Sequence, residues 1–134
     1  MSSTSNAAGI LIQHRDKFLL CKRGYFGASL DGFWAPPAGR IETGEVAINA
    51  AIRELYEEGG VLLRREELLL LSKERRADNK GWFYLYHHTS PVLRHLTLNL
   101  EHEGYAYFCP TELPSPICPM LKKLILSLTN HLEI

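Results

Sequence analysis

Three glutamates on one predicted helix constrain this chain more than any other feature. Glu54, Glu57 and Glu58 are spaced i, i+3 and i+4 within the stretch from residue 39 to residue 61. At about 100° per residue, this spacing places the three carboxylates within roughly 100° of one helix face. Like charges so arranged weaken an isolated helix by roughly 0.2–0.5 kcal/mol per pair. The pattern therefore favours a bound divalent cation, and oxygen-only ligands suit Mg²⁺ or Mn²⁺.

The ends of this helix are marked by residues that favour helix termini. The helix is expected to begin near Glu45, with Thr43 as its cap, and to end in a left-handed conformation at Gly59-Gly60. Glu45 and Arg53 are expected to pair or to brace the preceding loop. The expected buried stripe consists of Ile48, Ile52 and Leu55, and the small residues expected on or beside the glutamate face are Ala47, Ala50 and Ala51.

The whole stretch resembles the signature of the Nudix hydrolases, the MutT-like enzymes. That signature is a glycine, five residues, a glutamate, seven residues, Arg-Glu, an aliphatic residue, one residue, Glu-Glu, one residue, a glycine and an aliphatic residue. Every position is matched here, by Gly39, Glu45, Arg53, Glu54, Leu55, Glu57, Glu58, Gly60 and Val61. Three glutamates at this spacing are, by themselves, more often part of a solvated helix face. The complete signature instead favours a functional site.

The resemblance implies an α/β fold, the Nudix-type α/β/α sandwich with a mixed sheet. It also implies a hydrolase that uses Mg²⁺, or Mn²⁺, to cleave the diphosphate bond of a nucleoside diphosphate linked to a further group, such as a (d)NTP. The metal ligands implied are the carbonyl group of Gly39 and the carboxylates of Glu54, Glu57 and Glu58. Arg53 would orient Glu54 or a neighbouring carboxylate, and Glu54 would act as a ligand or as the base. Glu45 would brace the loop or ligate a metal, and Gly60 would support the signature stretch.

Relatives often supply one more carboxylate from the loop before the last strand, as a metal ligand or a base. Glu101 is the closest match here, and Glu103 is the second choice. Two other functions remain open by resemblance: a nucleotide-sensing module without catalysis, and an isomerase of isoprenoid diphosphates. The intact glutamates argue against the first, and the lack of a recognisable cysteine-centred motif argues against the second.

Substrate contacts are expected from an aromatic, glycine-containing loop and from nearby cations. The loop spans residues 23–33, and an aromatic loop of this length is often functional. Its rings either stack on a nucleobase or cap the edge of the core. The candidate substrate-binding residues are Arg23, Tyr25, Phe33, Trp34 and Arg40. A separate basic group, Lys73, Arg75 and Arg76, either meets phosphates or, as we favour, belongs to an ordinary solvated strand.

Sub-group markers leave the substrate open. Neither the proline associated with ADP-ribose nor the tyrosine associated with dinucleoside polyphosphates occurs at residues 73–80. The small size of the chain and its aromatic loop favour nucleoside triphosphates, including oxidised ones, over bulky dinucleotides.

Composition narrows the class of protein further. The 134 residues predict a single domain, 1–134, and a formal net charge of zero argues against bulk binding to nucleic-acid polymers or membranes. Three cysteines without CxxC spacing read as reduced thiols, and no signal or membrane-spanning segment is evident. We therefore expect a cytoplasmic protein, a monomer or homodimer, whose partner is a small nucleotide.

Hydrophobic patterns predict the remaining elements. Strands are expected at residues 7–13, 18–22, 68–76 and 82–88, with a further strand through Tyr105 and Tyr107 after a loop at 90–98. A final helix is expected from Pro119 to about His131, with a stripe of Leu121, Leu124, Ile125 and Leu128. His87-His88 is assigned a structural role, since neighbouring strand residues point to opposite faces.

Overall fold

The computed structural model describes residues 5–23, 32–76, 79–98 and 102–129. Short 3₁₀ helices lie at Arg65–Glu67 and Pro110–Glu112. The strands and helices, in chain order, are β1 (Ala7–His14), β2 (Lys17–Arg23), β3 (Trp34–Ala35), β4 (Ala38–Arg40), α1 (Ala47–Gly59), β5 (Leu69–Arg75), β6 (Trp82–Thr89), β7 (His102–Phe108) and α2 (Pro119–Thr129).

All seven strands join one mixed sheet, whose central path runs β3-β2-β1-β6-β5. β1 pairs in parallel with β6 along residues Ala7–Gln13, and the other pairings are antiparallel. One edge of β1 pairs with β6, so the strands β2 and β4 share the other edge. β4 pairs with the first residues of β1, and β2 pairs with the last residues of β1. This division brings the short strand β4 beside the start of β1.

The sheet has a hydrophobic core on each face, as the predicted sandwich requires. Ala8, Ile10 and Ile12 of β1 pack in the core that α1 covers, whereas Leu11 packs in the core that α2 covers. The unbroken apolar run of β1 follows from burial on both faces. Among the described residues, no helix is long and apolar enough to cross a membrane.

Most predicted elements, including α1, are confirmed to within about two residues, but the predicted cap of α1 is wrong. The helix begins at Ala47, after Val46 in an extended conformation (φ −83°, ψ 153°), and no side chain caps it. Thr43 is therefore not the cap. Residues 42–45 instead form a separate turn. In this turn, the N–H of Glu45 donates to the carbonyl of Glu42 at 2.9 Å, and the N–H of Glu42 donates to Oε1 of Glu45 at 3.0 Å.

Two further expectations about α1 have different outcomes. Gly60 ends the helix at φ 73°, and its N–H donates to the carbonyl of Tyr56, as predicted. Ala50 and Ala51 lie one helical turn before Glu54, beside the glutamate face as expected, but both are fully buried in the core with Leu55. Their small side chains allow α1 to approach the sheet closely.

Candidate active site

Arg53 ties α1 to the loop that precedes it. Its Nε and Nη2 donate to the two carboxylate oxygens of Glu45 at 2.9 and 3.0 Å, and Nη2 also donates to the carbonyl of Arg40 at 2.9 Å. The hydrogen bonds from Arg53, with a further one from the backbone of Glu42, hold the pKa of Glu45 below its usual value. The same contacts raise the pKa of Arg53.

The remaining nitrogen of Arg53 faces the glutamates of the signature. Nη1 donates to Glu54 Oε1 at 2.8 Å and lies 3.2 and 3.3 Å from the two carboxylate oxygens of Glu57. Glu54 is mostly buried, with 13% of its side chain exposed, whereas Glu57 is 52% exposed. The guanidinium group thus binds three carboxylates at once and offsets their mutual repulsion.

Glu54 lies directly against the backbone of β4. A Cβ atom built on Gly39 would overlap the carboxyl group of Glu54. Glycine at this position is therefore required by close approach, not by an unusual backbone conformation.

Glu58 is a buried carboxylate, with 1% of the residue exposed. Its Oε1 accepts a hydrogen bond from the N–H of Ala38 at 3.1 Å and lies 3.6 Å from His102 Nε2. Burial and the charge of Arg23 lower the pKa of His102 to about 4, so that His102 is neutral near pH 7. Burial and then the charge of Glu58 raise the pKa of Cys21 to about 12.

The three carboxylates of the signature do not share one partner in this structure. Within the parts of the chain that are described, no three His, Cys, Asp or Glu side chains are grouped to hold a metal ion. The reason is physical: Arg53 binds Glu54 and Glu57, while Glu58 turns inward to Ala38. The donor set nevertheless suits a hard cation, because Glu54 and Glu58 both reach β4 and offer only oxygen ligands.

The predicted aromatic contacts have mixed outcomes. Trp34 packs in the core that α2 covers, edge-on to Phe108 with ring centroids 5.0 Å apart. This is the face opposite Glu54, so the position of Trp34 favours the core-edge alternative over base stacking. The carbonyl of Phe33 accepts the N–H of Arg23 at 3.0 Å. Tyr25 lies outside the described residues.

The additional carboxylate is not located by the described residues. Glu101 lies outside them, and Glu103 forms an ion pair with Lys22 at 3.5 Å. Arg40 is exposed at the end of β4. His102, which lies against Glu58, was missed by sequence reasoning, because no local pattern shows which face of β7 meets α1.

His87 and His88 lie apart, as the strand alternation predicts. His87 Nε2 lies 2.8 Å from Gln13 Oε1, and His88 Nδ1 lies 3.0 Å from the carbonyl oxygen of Glu67. Their separate partners agree with a structural role for the pair.

A family model described as the NUDIX domain matches residues 3–128. The chain belongs to the NUDIX family. This match confirms the sequence-based assignment to the Nudix hydrolases and the sandwich fold that it implied. A comparison with curated proteins found no match.

Solved structures share the Nudix fold along nearly the whole chain. A MutT NUDIX hydrolase from Burkholderia pseudomallei is 24% identical, with a TM-score of 0.79 over 93% of this chain and 98% of that one. An Ap4A hydrolase from C. elegans, in a binary complex, is 22% identical (TM-score 0.70; 94% and 97% covered). The NUDIX domain of Shewanella oneidensis NrtR, complexed with ADP ribose, is 15% identical (TM-score 0.75; 98% and 90% covered).

Proposed function

We propose that this Nudix hydrolase uses Mg²⁺ or Mn²⁺ to cleave the diphosphate bond of a nucleoside diphosphate linked to a second group, above all a (d)NTP or a related small nucleotide. The observation that carries the proposal is the meeting of α1 and β4. There Glu54 lies against Gly39, and Glu58 is bound by the N–H of Ala38. The C. elegans relative is named as an Ap4A hydrolase and the Shewanella domain is complexed with ADP ribose, and both names support a small-molecule substrate.

In this proposal, the carbonyl of Gly39 and the carboxylates of Glu54, Glu57 and Glu58 hold the cation. The cation supplies charge neutralisation at the phosphate oxygens and lowers the pKa of a bound water. Arg53 positions Glu54 and, through its hydrogen bond to the carbonyl of Arg40, the backbone next to Gly39. Arg23 and Arg40 offer charge to the phosphates, and Glu54, Glu101 or Glu103 accepts the proton of the attacking water.

Arg53 has a second role in the proposal: its guanidinium group supplies positive charge to the glutamates when no cation is bound. Without a cation, a guanidinium group 2.8 Å from Glu54 and 3.2 Å from Glu57 neutralises charges that would otherwise destabilise α1. Glu57 is half exposed and turns from Arg53 at little cost, because exposed ion pairs contribute only about 0–1 kcal/mol. Cation binding therefore needs side-chain rotation and no refolding of α1.

The test of the proposed function is a panel of nucleoside triphosphates, oxidised triphosphates and nucleoside diphosphate sugars. Each is incubated with Mg²⁺, with Mn²⁺ or with a chelator, and phosphate or pyrophosphate release is measured. Hydrolysis that requires the cation supports the proposal. Nucleotide binding without any hydrolysis would instead favour the nucleotide-sensing alternative, whereas neither binding nor hydrolysis would contradict both.

The variant Glu57→Gln tests whether the carboxylate of Glu57 has a catalytic role or a structural role. We expect turnover to fall by about a hundredfold or more, because the variant loses a charged cation ligand. The free energy of unfolding should change by no more than about 1 kcal/mol, because the Glu57–Arg53 pair is half exposed. The matched control is Glu66→Gln, an exposed glutamate in the 3₁₀ helix that follows α1. Full activity in Glu57→Gln would remove Glu57 from the site.

The remaining features of the proposal concern the protein as a whole. We propose that residues 1–134 act as one Nudix domain, as a monomer or homodimer, in the cytoplasm and without a membrane or nucleic-acid polymer as partner. Three free cysteines support a reducing compartment. The family match over residues 3–128 supports a single functional unit.

A further inference from the structure

His102 is a buried histidine that lies against a proposed cation ligand. Its Nε2 lies 3.6 Å from Oε1 of Glu58, and 2% of each side chain is exposed. The same Oε1 accepts the N–H of Ala38 at 3.1 Å, so this oxygen lies close to both β4 and β7. The carboxylate of Glu58 is therefore approached by two strands that are far apart in sequence.

A β-bulge brings His102 to this face of the sheet. Tyr105 of the same strand packs against the core that α1 covers. Strict alternation from Tyr105 would place His102, three residues earlier, on the opposite face. The register between β2 and β7 shifts here, however, so that Arg23 pairs with His102 and not with Glu103. Bulges of this kind turn a side chain in a new direction and are frequent beside active sites.

The burial of Glu58 is unfavourable for stability by itself. A carboxylate is almost never fully buried without partners, because an isolated buried charge is costly. Even a paired buried charge is often no more stable than an apolar side chain of similar volume. The position of Glu58 at the meeting of α1 and β4 therefore fits a functional need, and the groups that hold its carboxylate there belong to the same design.

His88 provides a comparison with a buried histidine that has a structural role. It is 4% exposed, and its Nδ1 lies 3.0 Å from the carbonyl oxygen of Glu67. In the described parts of the chain, each of the two histidines has one buried ring nitrogen without a hydrogen-bond partner, Nε2 of His88 and Nδ1 of His102. The two rings differ in what the other nitrogen meets. For His88 it is a backbone carbonyl, and for His102 it is the carboxylate of Glu58.

We propose that His102 is a positioning residue for the cation: its Nε2–H donates to Oε1 of Glu58 and holds this carboxylate in the orientation that binds the ion. This inference rests on the proposed function and adds a residue to its site. At 3.6 Å the contact is slightly longer than a hydrogen bond, and a small rotation of either side chain closes it. Hydrogen bonds to metal-binding carboxylates orient them, and their loss lowers metal affinity by about 10- to 100-fold.

The first test measures cation binding without catalysis. Mn²⁺ is titrated into the protein in the absence of nucleotide, and the free ion is followed by electron paramagnetic resonance. We expect His102→Leu, which keeps a similar volume but removes the donor, to raise the Kd about tenfold or more. His102→Gln, whose amide N–H can take the place of Nε2–H, should retain most of the affinity. The matched control, His88→Leu, removes the other buried histidine and should leave the Kd unchanged.

The second test needs no substitution and no cation. His102 is neutral near pH 7, so one of its two ring nitrogens carries the proton. The hydrogen bond that a neutral imidazole makes decides which nitrogen that is. NMR of protein with isotopically labelled histidine, in the presence of a chelator, should show the proton on Nε2. A proton on Nδ1 would leave Nε2 without a hydrogen to donate and would overturn the inference.

The outcomes distinguish this inference from the proposed function. Equal Mn²⁺ affinity in the wild type and His102→Leu would overturn the inference and leave the proposed function intact. A loss that His88→Leu reproduces, or that His102→Gln does not restore, would do the same. Weaker Mn²⁺ binding in His102→Leu alone, without hydrolysis of any nucleotide by the wild type, would refute the proposed hydrolysis and leave a cation site that His102 positions.

Discussion

Gly39 is the residue at which a single methyl group should matter most. Its missing Cβ leaves the space that the carboxyl group of Glu54 occupies. We expect Gly39→Ala to displace Glu54 and to lower kcat/KM by about tenfold to a hundredfold, because displacing a catalytic group by about 1 Å has that effect. Steady-state kinetics on the preferred nucleotide measures the change.

Gly104→Ala is the control for this substitution. Gly104 lies in β7, and a Cβ there would meet no atom within 4 Å among those described. Its replacement should leave activity near the wild-type level. Equal losses in the two variants would show that the effect of Gly39→Ala is general and not a consequence of moving Glu54.

Cys21 should be the least reactive of the three cysteines. It is 1% exposed, and its burial and the nearby charge of Glu58 raise its pKa to about 12. The thiolate is the reactive form, so at pH 8 Cys21 is both inaccessible and protonated. Alkylation with iodoacetamide, followed by peptide mass spectrometry, should modify exposed Cys118 first and Cys21 only after unfolding. Early modification of Cys21 in the folded protein would contradict this placement.

At the scale of elements, an ionic contact between Arg53 and Glu45 helps to order the loop between β4 and α1. Arg53 holds Glu45 by two hydrogen bonds, and Glu45 in turn accepts the N–H of Glu42. No side chain caps the start of α1, so this contact replaces a helix cap in ordering the approach to the helix. We therefore expect the loss of the Glu45 carboxylate to lower the free energy of unfolding more clearly than it lowers turnover.

The stabilisation from Glu45 should depend on pH in a defined direction. Its pKa is lowered in the folded protein from the ordinary value of 4.5, mainly by the hydrogen bonds from Arg53. The stabilisation is thus fully present above pH 4.5 and is lost as the pH falls through the lower, folded-state pKa. Urea unfolding of the wild type and of Glu45→Gln should differ at neutral pH and converge in acid. A constant difference across that range would contradict the assignment.

At the scale of the whole molecule, divalent cations should stabilise the fold. The proposed ligands come from β4 and α1, so the ion binds the folded chain and not the unfolded one. At a concentration 100 times the Kd, such binding adds about 2.7 kcal/mol to the free energy of unfolding. Thermal unfolding with Mg²⁺ or Mn²⁺ should show a higher Tm in the wild type and a smaller rise in Glu54→Gln. A rise that sodium chloride of equal ionic strength reproduces would exclude a specific site.

Several features could be predicted because they are periodic along the chain. The strands β1, β2, β5 and β6, the apolar stripe of α2 and the left-handed end of α1 follow from side-chain alternation, helical spacing and glycine. The start of α1 could not be predicted in this way. Glu45 and Val46 continue the helical pattern, but Arg53 holds Glu45 in a turn outside the helix.

The sequence by itself determined that three glutamates share a helix face, that the stretch around them is a Nudix signature, and that residues 7–13 form an apolar strand. The tertiary structure alone decided which other residues these side chains contact. Glu58 is buried against Ala38, and Trp34 packs on the α2 side of the sheet. Local periodicity sets a side chain's direction about its own helix or strand, whereas these contacts join residues far apart in sequence and depend on how the strands pair.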